Sequence, residues 1–230
     1  MVKRSKKYRK SAEQVERARE YLPDEAFEVL KKFETAGFDE TVEVAVRLGI
    51  DPKKTDQNVR GSVSLPNGIG KDVRVICFAE GDAAAAAEEA GAIKVGSQDL
   101  AKEIQDGWLD FDVAVAAPDM MKHVGKLGRI LGPQGKMPSP KGGTVTPDVG
   151  EAVASFKAGR IEFRSDSGAS VHCPIGKRSF ANEKLRENLE AFLEHLKGMR
   201  PSQAKGAFVK KISISMSMSP SVRVAVPQAR

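Results

Sequence analysis

Apolar and hydroxyl side chains alternate along a stretch near the end of the chain. The alternation sets four apolar residues against four serines, namely Ile212, Ile214, Met216 and Met218 against Ser213, Ser215, Ser217 and Ser219. Because successive side chains of a β-strand point to opposite faces, the pattern predicts a strand with a core face and a row of hydroxyls. Two interpretations of this row stay open: a solvated strand face, or a polar surface on which another backbone lies closely.

Similar patterns predict half-buried strands and amphipathic helices at both ends of the chain. Alternation has a period of two in the strands, and apolar residues recur every three or four positions in the helices. The expected elements are a helix over 24–36 capped by Asp24, strands over 41–48 and 59–65, a β-hairpin over 160–173, a helix over 180–197, and a strand over 222–226.

The middle of the chain has a different pattern. Residues 73–79 and 111–117 are mostly apolar, which is typical of strands buried on both faces. Helical segments over 83–90 and 99–106 and a short strand over 93–96 alternate with these strands, and this order predicts an α/β layer with parallel strands. A glycine- and proline-rich segment over 125–150 is expected to be irregular, basic and on the surface. A short helix over 151–158 then ends at Gly159.

The two ends are too small to form separate cores, so we expect them to join into one domain. That domain has two helices packed against an antiparallel sheet and comprises residues 1–67 and 159–230. Residues 68–158 then form an inserted domain, with hinges at 65–70 and 157–160. Two short crossings that contain glycine permit hinge motion without separating the domains.

Composition and charge narrow the class of protein. The 230 residues are 40% hydrophobic and 30% charged, as in ordinary globular proteins, and no apolar run approaches the length of a membrane span. The net charge of +6 is unevenly distributed, since residues 68–157 carry −3 and the rest +9. This asymmetry indicates one polyanion-binding part. Six basic residues within 1–10 predict a flexible arm that either attracts phosphates or only solubilises.

Signals for catalysis or metal binding are weak. The segment over 128–143 contains Gly132, Gly135 and Lys136, but its spacing is not that of a P-loop, and a structural loop is the preferred interpretation. A nucleotide-dependent enzyme that uses this segment is the alternative hypothesis. His172 and Cys173 are adjacent in a strand and point to opposite faces, so they do not form a metal site together. No cofactor is expected. The two cysteines suit a reducing compartment as small core residues.

The basic domain that carries the serine row favours recognition of structured RNA. Lys and Arg contact phosphates, while hydroxyls and main chain contact sugars and bases. Aromatic residues make up only 6% of the chain, so extensive base stacking on single strands is not expected. Phe38 is the best candidate for stacking, and a core role is equally compatible with its position.

Several segments together, in order over nearly the whole chain, resemble the bacterial L-one family of large-subunit ribosomal proteins, the protein of the mobile stalk. They are FDETVEV at 38–44, LGIDP at 48–52, DQNVRG at 56–61, DGW at 106–108 with FD at 111–112, LGRILGP at 127–133, KAGRIEFR at 157–164, and MSPSVR at 218–223.

The resemblance implies an α+β discontinuous RNA-binding domain and an inserted α/β Rossmann-like three-layer domain. It implies binding to 23S ribosomal RNA at the mobile stalk, a part in the release of deacylated tRNA from the exit site, and repression of translation through the protein's own mRNA leader. It further implies a cytoplasmic ribosomal protein, a monomer off the ribosome, with no membrane partner and no catalysis.

The family's RNA contacts carry over to Phe38, Thr41 and a Thr-Met-Gly motif that here reads Ser217-Met218-Ser219. Ser217 keeps the hydroxyl of threonine, whereas Ser219 adds a side chain where the motif has glycine. The full set of candidate RNA-binding residues is Phe38, Thr41, Lys53, Arg60, Arg164, Asp166, His172, Ser213, Ser215, Ser217, Met218, Ser219 and Ser221.

Overall fold

A computed structural model describes residues 4–34 and 36–226, and these residues form two compact units. Of the described residues, the first unit contains 4–34, 36–60, 65–70 and 163–226, and the second contains 61–64 and 71–162. Residues 1–3 of the predicted basic arm and residue 35 of the predicted first helix lie outside the described residues.

The strands are β1 (Thr41–Leu48), β2 (Arg60–Ser64), β3 (Val75–Phe78), β4 (Lys94–Gly96), β5 (Val113–Ala116), β6 (Arg160–Arg164), β7 (Ser170–Lys177), β8 (Val209–Met216) and β9 (Val222–Val224). The helices are α1 (Lys6–Glu13), α2 (Pro23–Lys32), α3 (Asp82–Glu89), α4 (Gln98–Gln105), α5 (Met121–Val124), α6 (Gly128–Leu131), α7 (Val149–Lys157) and α8 (Asn182–Gly198).

A four-stranded sheet in the order β7-β1-β8-β9 forms the centre of the first unit, and its neighbouring strands are antiparallel. The apolar positions of the alternating strands make one buried face, which packs against α2 and α8. Helix α8 contributes the apolar stripe that its sequence predicts, with Leu185, Leu189, Phe192, Leu193 and Leu196 all buried. The opposite, outer face carries the polar positions of the same strands.

The structure corrects the predicted ends of two elements. Helix α2 begins at Pro23, and Leu22 precedes it without a side-chain cap, so Asp24 lies inside the first turn instead of capping it. An acidic residue there is stabilised by the helix dipole without capping. At the amino terminus, residues from Lys6 onward form α1, whereas a flexible arm was expected.

The predicted hairpin over 160–173 is wrong. Strand β6 pairs with β2 in a two-stranded sheet, and β7 pairs with β1 in the four-stranded sheet. Only a single antiparallel bridge, between Ser165 and Val171, joins the two segments. The sequence pattern shows where strands lie, but the partner of each strand is set by packing between distant segments.

The second unit contains a parallel sheet in the order β4-β3-β5, with β3 buried along its whole length. Ile76 and Phe78 of this strand share a core with α4 and with the segment that follows β5. That segment belongs to the core in part, because Leu127 and Leu131 are fully buried. The expectation of an irregular surface segment over 125–150 is therefore wrong for its first turns, which are short helices.

Candidate nucleic-acid interface

The start of β1 and the turn that follows β8 meet at one end of the four-stranded sheet. The Thr41 amide donates to Ser217 Oγ at 3.2 Å, and the Ser217 amide donates to the Thr41 carbonyl at 3.2 Å. Lys177, at the end of β7, donates from Nζ to Thr41 Oγ1 at 2.9 Å. Three segments that are distant in the sequence thus bring two hydroxyls and a cation together. We call this place the Thr41 end of the sheet.

Two large apolar side chains lie exposed at the Thr41 end. Phe38 is 55% exposed and Met218 is 66% exposed, whereas most large apolar residues of the described chain are buried. Phe38 is therefore not a core residue, and stacking of its ring on a base stays a prediction. Met218 was predicted on the core face of its strand, and this prediction is wrong because β8 ends at Met216 and the chain turns there. An exposed aromatic ring and a thioether beside hydroxyls suit stacking against a base.

The loop that carries Phe38 is held by buried polar groups that sequence reasoning missed. Glu40 is 1% exposed, and its carboxylate accepts from the Ala36 amide at 2.8 Å. The Arg178 amide donates to the Glu40 carbonyl at 2.9 Å, and its guanidinium donates to the carbonyls of Lys31 and Phe33. Arg178 thus joins the end of α2 to the loop. The sequence gives no periodic signal for Glu40 or Arg178, because each is a charged residue whose neighbour in the chain is also charged.

Asp39 fixes the same loop from its other side. Its carboxylate accepts from the Ser179 amide at 3.1 Å and from the Ser179 hydroxyl at 2.7 Å. Lys177 is also a site residue that sequence reasoning missed. In the sequence, this lysine shows only as one more positive charge in the predicted basic domain. The loop that presents Phe38 is therefore held at Glu40 and Asp39 by residues 177–179.

Ser219 closes the turn after β8 with its own side chain. The Met216 amide donates to Ser219 Oγ at 2.9 Å, and the Ser219 amide donates to the Met216 carbonyl at 3.0 Å. Among the non-glycine residues that the structure describes, only Ala169 has a positive φ, so the turn does not require glycine at 219 for its backbone. The hydroxyl of Ser219 is used within the turn.

The serine row on the outer face is mixed with charge. Ser213 lies opposite Ala45 and opposite Arg223, and Ser215 lies opposite Glu43. Ser213 and Ser215 are half-buried, whereas Ser217 and Ser221 are exposed. Strand β8 ends at Met216, so Ser217 and Ser219 lie in the turn that follows it and do not continue the predicted alternation.

The remaining predicted residues lie toward the other end of the sheet. Ser170 pairs with Arg47 at that end, six residues along β1 from Thr41, which corresponds to about 20 Å. His172 Nε2 lies there 3.5 Å from a carboxylate oxygen of Asp166. Exposed Lys53 lies in the loop that follows β1. The structure thus separates these residues from the Thr41 end.

Arg60 and Arg164 adjoin the Asp166 turn. The Ser165 amide donates to the Val59 carbonyl at 2.8 Å. Because Arg60 follows Val59 and Arg164 precedes Ser165, the two arginines lie beside each other at the ends of β2 and β6. The Asp166 carboxylate accepts from the amides of Gly168 and Ser170. The Ser170 amide contributes most to holding the pKa of Asp166 below its ordinary value, and the Gly168 amide and His172 add to it.

The other candidate chemistry is structural. Lys136 Nζ donates to the Leu109 carbonyl at 2.9 Å and lies 4.8 Å from the centre of the Phe111 ring, so this lysine is used inside the second unit. Burial raises the pKa of the Cys77 and Cys173 thiols to about 12. Within residues 4–34 and 36–226, no group of His, Cys, Asp and Glu is arranged to hold a metal ion. No helix of the described chain is long and apolar enough to cross a membrane.

Comparison with known proteins covers nearly the whole chain. The sequence pattern of the Ribosomal protein L1p/L10e family matches residues 30–220. The chain is 51% identical to the large ribosomal subunit protein uL1 of Kosmotoga olearia over 224 residues, which is 97% of each chain. It is 55% identical to the protein of the same name from Saccharopolyspora erythraea over 224 residues, which covers 97% of this chain and 94% of that one.

Proposed function

The chain belongs to the Ribosomal protein L1p/L10e family, and we propose that it binds 23S ribosomal RNA at the mobile stalk through the Thr41 end. It is a structural constituent of the large ribosomal subunit and not an enzyme, and its location is the ribosome in the cytoplasm. Ribosomal RNA binding is general for the family. The specific RNA region and the contact residues are the proposal.

One observation carries the proposal: Phe38 and Met218 are exposed beside Thr41, Ser217 and Lys177. The aromatic ring and the thioether offer apolar area to a base that is turned out of its stack. The hydroxyls and the ammonium group offer hydrogen bonds to a ribose and to a phosphate. Arg178 and Glu40 fix the loop before RNA arrives, which reduces the conformational entropy lost on binding.

The rest of the proposal concerns the whole protein. The two ends of the chain act as one split RNA-binding domain, residues 1–67 and 159–230, around an inserted Rossmann-like domain with hinges at 65–70 and 157–160. On the ribosome, the protein helps to release deacylated tRNA from the exit site. Off the ribosome it is a monomer that represses translation by binding its own mRNA leader. The compact units and the parallel sheet of the second unit support this division.

Equilibrium binding of a stalk fragment of 23S ribosomal RNA tests the proposed site. The variants Phe38→Ala and Met218→Ala remove exposed side chains, so the free protein keeps its melting temperature. Because stacking on an aromatic side chain contributes about 1–3 kcal/mol, we expect Phe38→Ala to weaken binding by about 5- to 150-fold.

Leu22→Ala is the matched control, because Leu22 is 60% exposed in the same unit and lies before α2. This variant should bind the RNA as the wild type does. Equal losses in all three variants, or no loss in Phe38→Ala and Met218→Ala, would contradict the assignment of the site. The same variants test repression, since Phe38→Ala should weaken the complex with the mRNA leader by a similar factor if both RNAs use one site.

A further inference from the structure

The segment that precedes α2 lies across the outer face of the sheet at its free edge. Tyr21 forms a parallel bridge with Val224 of β9, and its hydroxyl accepts from the Glu16 amide at 3.1 Å. These contacts place α1 and the turn after it beside β8 and β9. Between them lies a cleft of about 260 Å³, lined on one side by Tyr8, Glu16 and Arg17 and on the other by Lys211, Ser213, Ser221 and Arg223.

Cations outnumber carboxylates in this cleft. Arg17, Lys211 and Arg223 line it with Glu16 as the one acidic residue of the lining. Lys211 and Arg223 are half-buried. Across residues 4–34 and 36–226, neither of these two side chains forms an ion pair or a side-chain hydrogen bond. Partly buried cations without partners carry a desolvation cost that a bound anion would offset.

The strand register adds an independent observation. Arg47 of β1 lies directly opposite Lys211 of β8, and Arg223 lies opposite Ser213, one diagonal step away. Like charges directly opposite in an antiparallel pair destabilise a sheet. The nearest acidic position on this face is Glu43, which lies opposite Ser215, two positions further along the strand from Ser213. The sheet therefore concentrates positive charge at the cleft without neutralising it.

The chemistry of the lining fits a phosphate group. Cations supply the charge, and the hydroxyls of Tyr8, Ser213 and Ser221 supply donors to phosphate oxygens. One side of the cleft begins near the Thr41 end, because Ser221 is only four residues beyond Ser217, a span of at most about 13 Å. From there the cleft extends along β8 to Lys211, which lies opposite Arg47 and about 20 Å from Thr41. A nucleic acid seated on Phe38 and Met218 is close enough for its backbone to reach the cleft.

We propose that this cleft is a second contact site for the same RNA and binds a backbone phosphate through Lys211, Arg223 and Arg17. The site rests on the proposed function and extends it, because it gives α1 and the following turn a part in binding. Since phosphates carry no sequence information, this contact sets affinity and position while the Thr41 end provides recognition of a base.

The test is the salt dependence of binding by the full chain. The double variant Lys211→Gln/Arg223→Gln is titrated with the stalk fragment of 23S ribosomal RNA at several salt concentrations. Each lost phosphate contact lowers the slope of log K against log salt by about one, so we expect a slope reduced by about one and weaker binding at low salt. Lys210→Gln is the control, because Lys210 is exposed and adjacent on β8 but does not line the cleft. Its slope should equal that of the wild type.

The melting temperature of the free protein separates contact from structure. Removing Lys211 relieves the repulsion with Arg47, so the double variant should melt at the wild-type temperature or above it while it binds RNA less tightly. An unchanged salt slope, or a lower melting temperature together with weaker binding, would overturn the second site. Polyglutamate, a probe for acidic proteins, is titrated against the same two variants. If the double variant loses polyglutamate binding while its salt slope with RNA is unchanged, the cleft binds an acidic protein and the second RNA site is overturned. Failure of the wild type to bind the fragment would instead refute the proposed function.

Discussion

At the scale of single residues, Ser219 shows how a change in a motif is absorbed. Glycine in the related motif suggested that a side chain would obstruct close approach of RNA. The structure turns the Ser219 hydroxyl back onto the Met216 amide, so the side chain stabilises the turn. The residues that face outward beside it are Ser217 and Met218, which are both exposed. The proposed contacts at this turn are thus made by Ser217 and Met218, and Ser219 itself makes none.

Replacing Ser219 tests this interpretation. Ser219→Ala removes the acceptor of the Met216 amide and should lower the free energy of unfolding by about 0.5–1.5 kcal/mol. Ser219→Gly should lower it further, because glycine loses more conformational entropy on folding. Neither variant should change the affinity for the stalk fragment when both are measured well below their melting temperatures. Tighter RNA binding by Ser219→Gly would show that the serine does obstruct the interface.

Asp166 gives a prediction about pH. The Ser170 amide, the Gly168 amide and His172 lower its pKa in the folded chain, so its ionised form favours folding. This contribution is present above the ordinary carboxyl pKa of about 3.9 and is lost as the pH falls through the lower folded value. Asp166→Asn should therefore melt below the wild type at pH 6, and the difference should shrink as the pH falls below about 4. A difference in melting temperature that stays constant down to pH 2 would contradict the role of the charge.

At the scale of elements, the loop between α2 and β1 depends on Arg178. This side chain binds the last carbonyls of α2, and its backbone binds Glu40. Nη1 of Arg178 and the second oxygen of Glu40 are buried and have no hydrogen-bond partner among the described protein atoms. Hydrogen bonds hold the described residues of the loop that presents Phe38, and the exposed Phe38 ring adds no core packing to them.

Arg178→Ala should destabilise the protein by about 2–4 kcal/mol, because it leaves two partly buried carbonyls, those of Lys31 and Phe33, unpaired. It should also weaken RNA binding at a temperature where the variant is still folded. Arg186→Ala is the control, since Arg186 forms only exposed ion pairs with Asp24 and Glu190, which contribute about 0–1 kcal/mol. Equal stability of the two variants in chemical denaturation would contradict the role of Arg178.

Local patterns predicted the elements better than their partners. The alternation of Val42, Val44 and Val46 predicted β1, and the stripe on α8 predicted its buried face, because both depend on short-range periodicity. The separation of β6 from β7 could not be predicted, since pairing is decided by contacts between distant segments. Likewise Lys177 and Arg178 acquire their roles only when β7 lies beside β1. Met218 is exposed because β8 ends at Met216. The end of β8 could not be predicted, since the alternation of serines continues past it.

At the scale of the whole molecule, the charge asymmetry corresponds to the two contact units only in part. The predicted middle segment carries the net negative charge, and the Thr41 end lies entirely in the other unit. Residues 61–64 belong by contact to the second unit, although they lie in the predicted RNA-binding segment. The part of the chain that we propose to bind RNA is thus the unit that contains the Thr41 end.

Removal of the middle segment tests this division. Replacing residues 71–159 by a flexible glycine-serine linker keeps β2, β6 and the segment 65–70, whose Asn67 binds Asn188 of α8. The shortened chain should unfold cooperatively and should still bind the stalk fragment, because every residue of the Thr41 end remains. Loss of binding in a chain that still unfolds cooperatively would place the RNA site in the deleted segment.

Hydroxyl-radical footprinting of intact 23S ribosomal RNA tests whether the Thr41 end binds the stalk. We expect one continuous region of protection, in the stalk, for the wild type, and loss of that protection in Phe38→Ala/Met218→Ala at the same protein concentration. Protection scattered over many RNA helices, or a stalk footprint that the double variant keeps unchanged, would contradict the claim that the Thr41 end recognises the stalk.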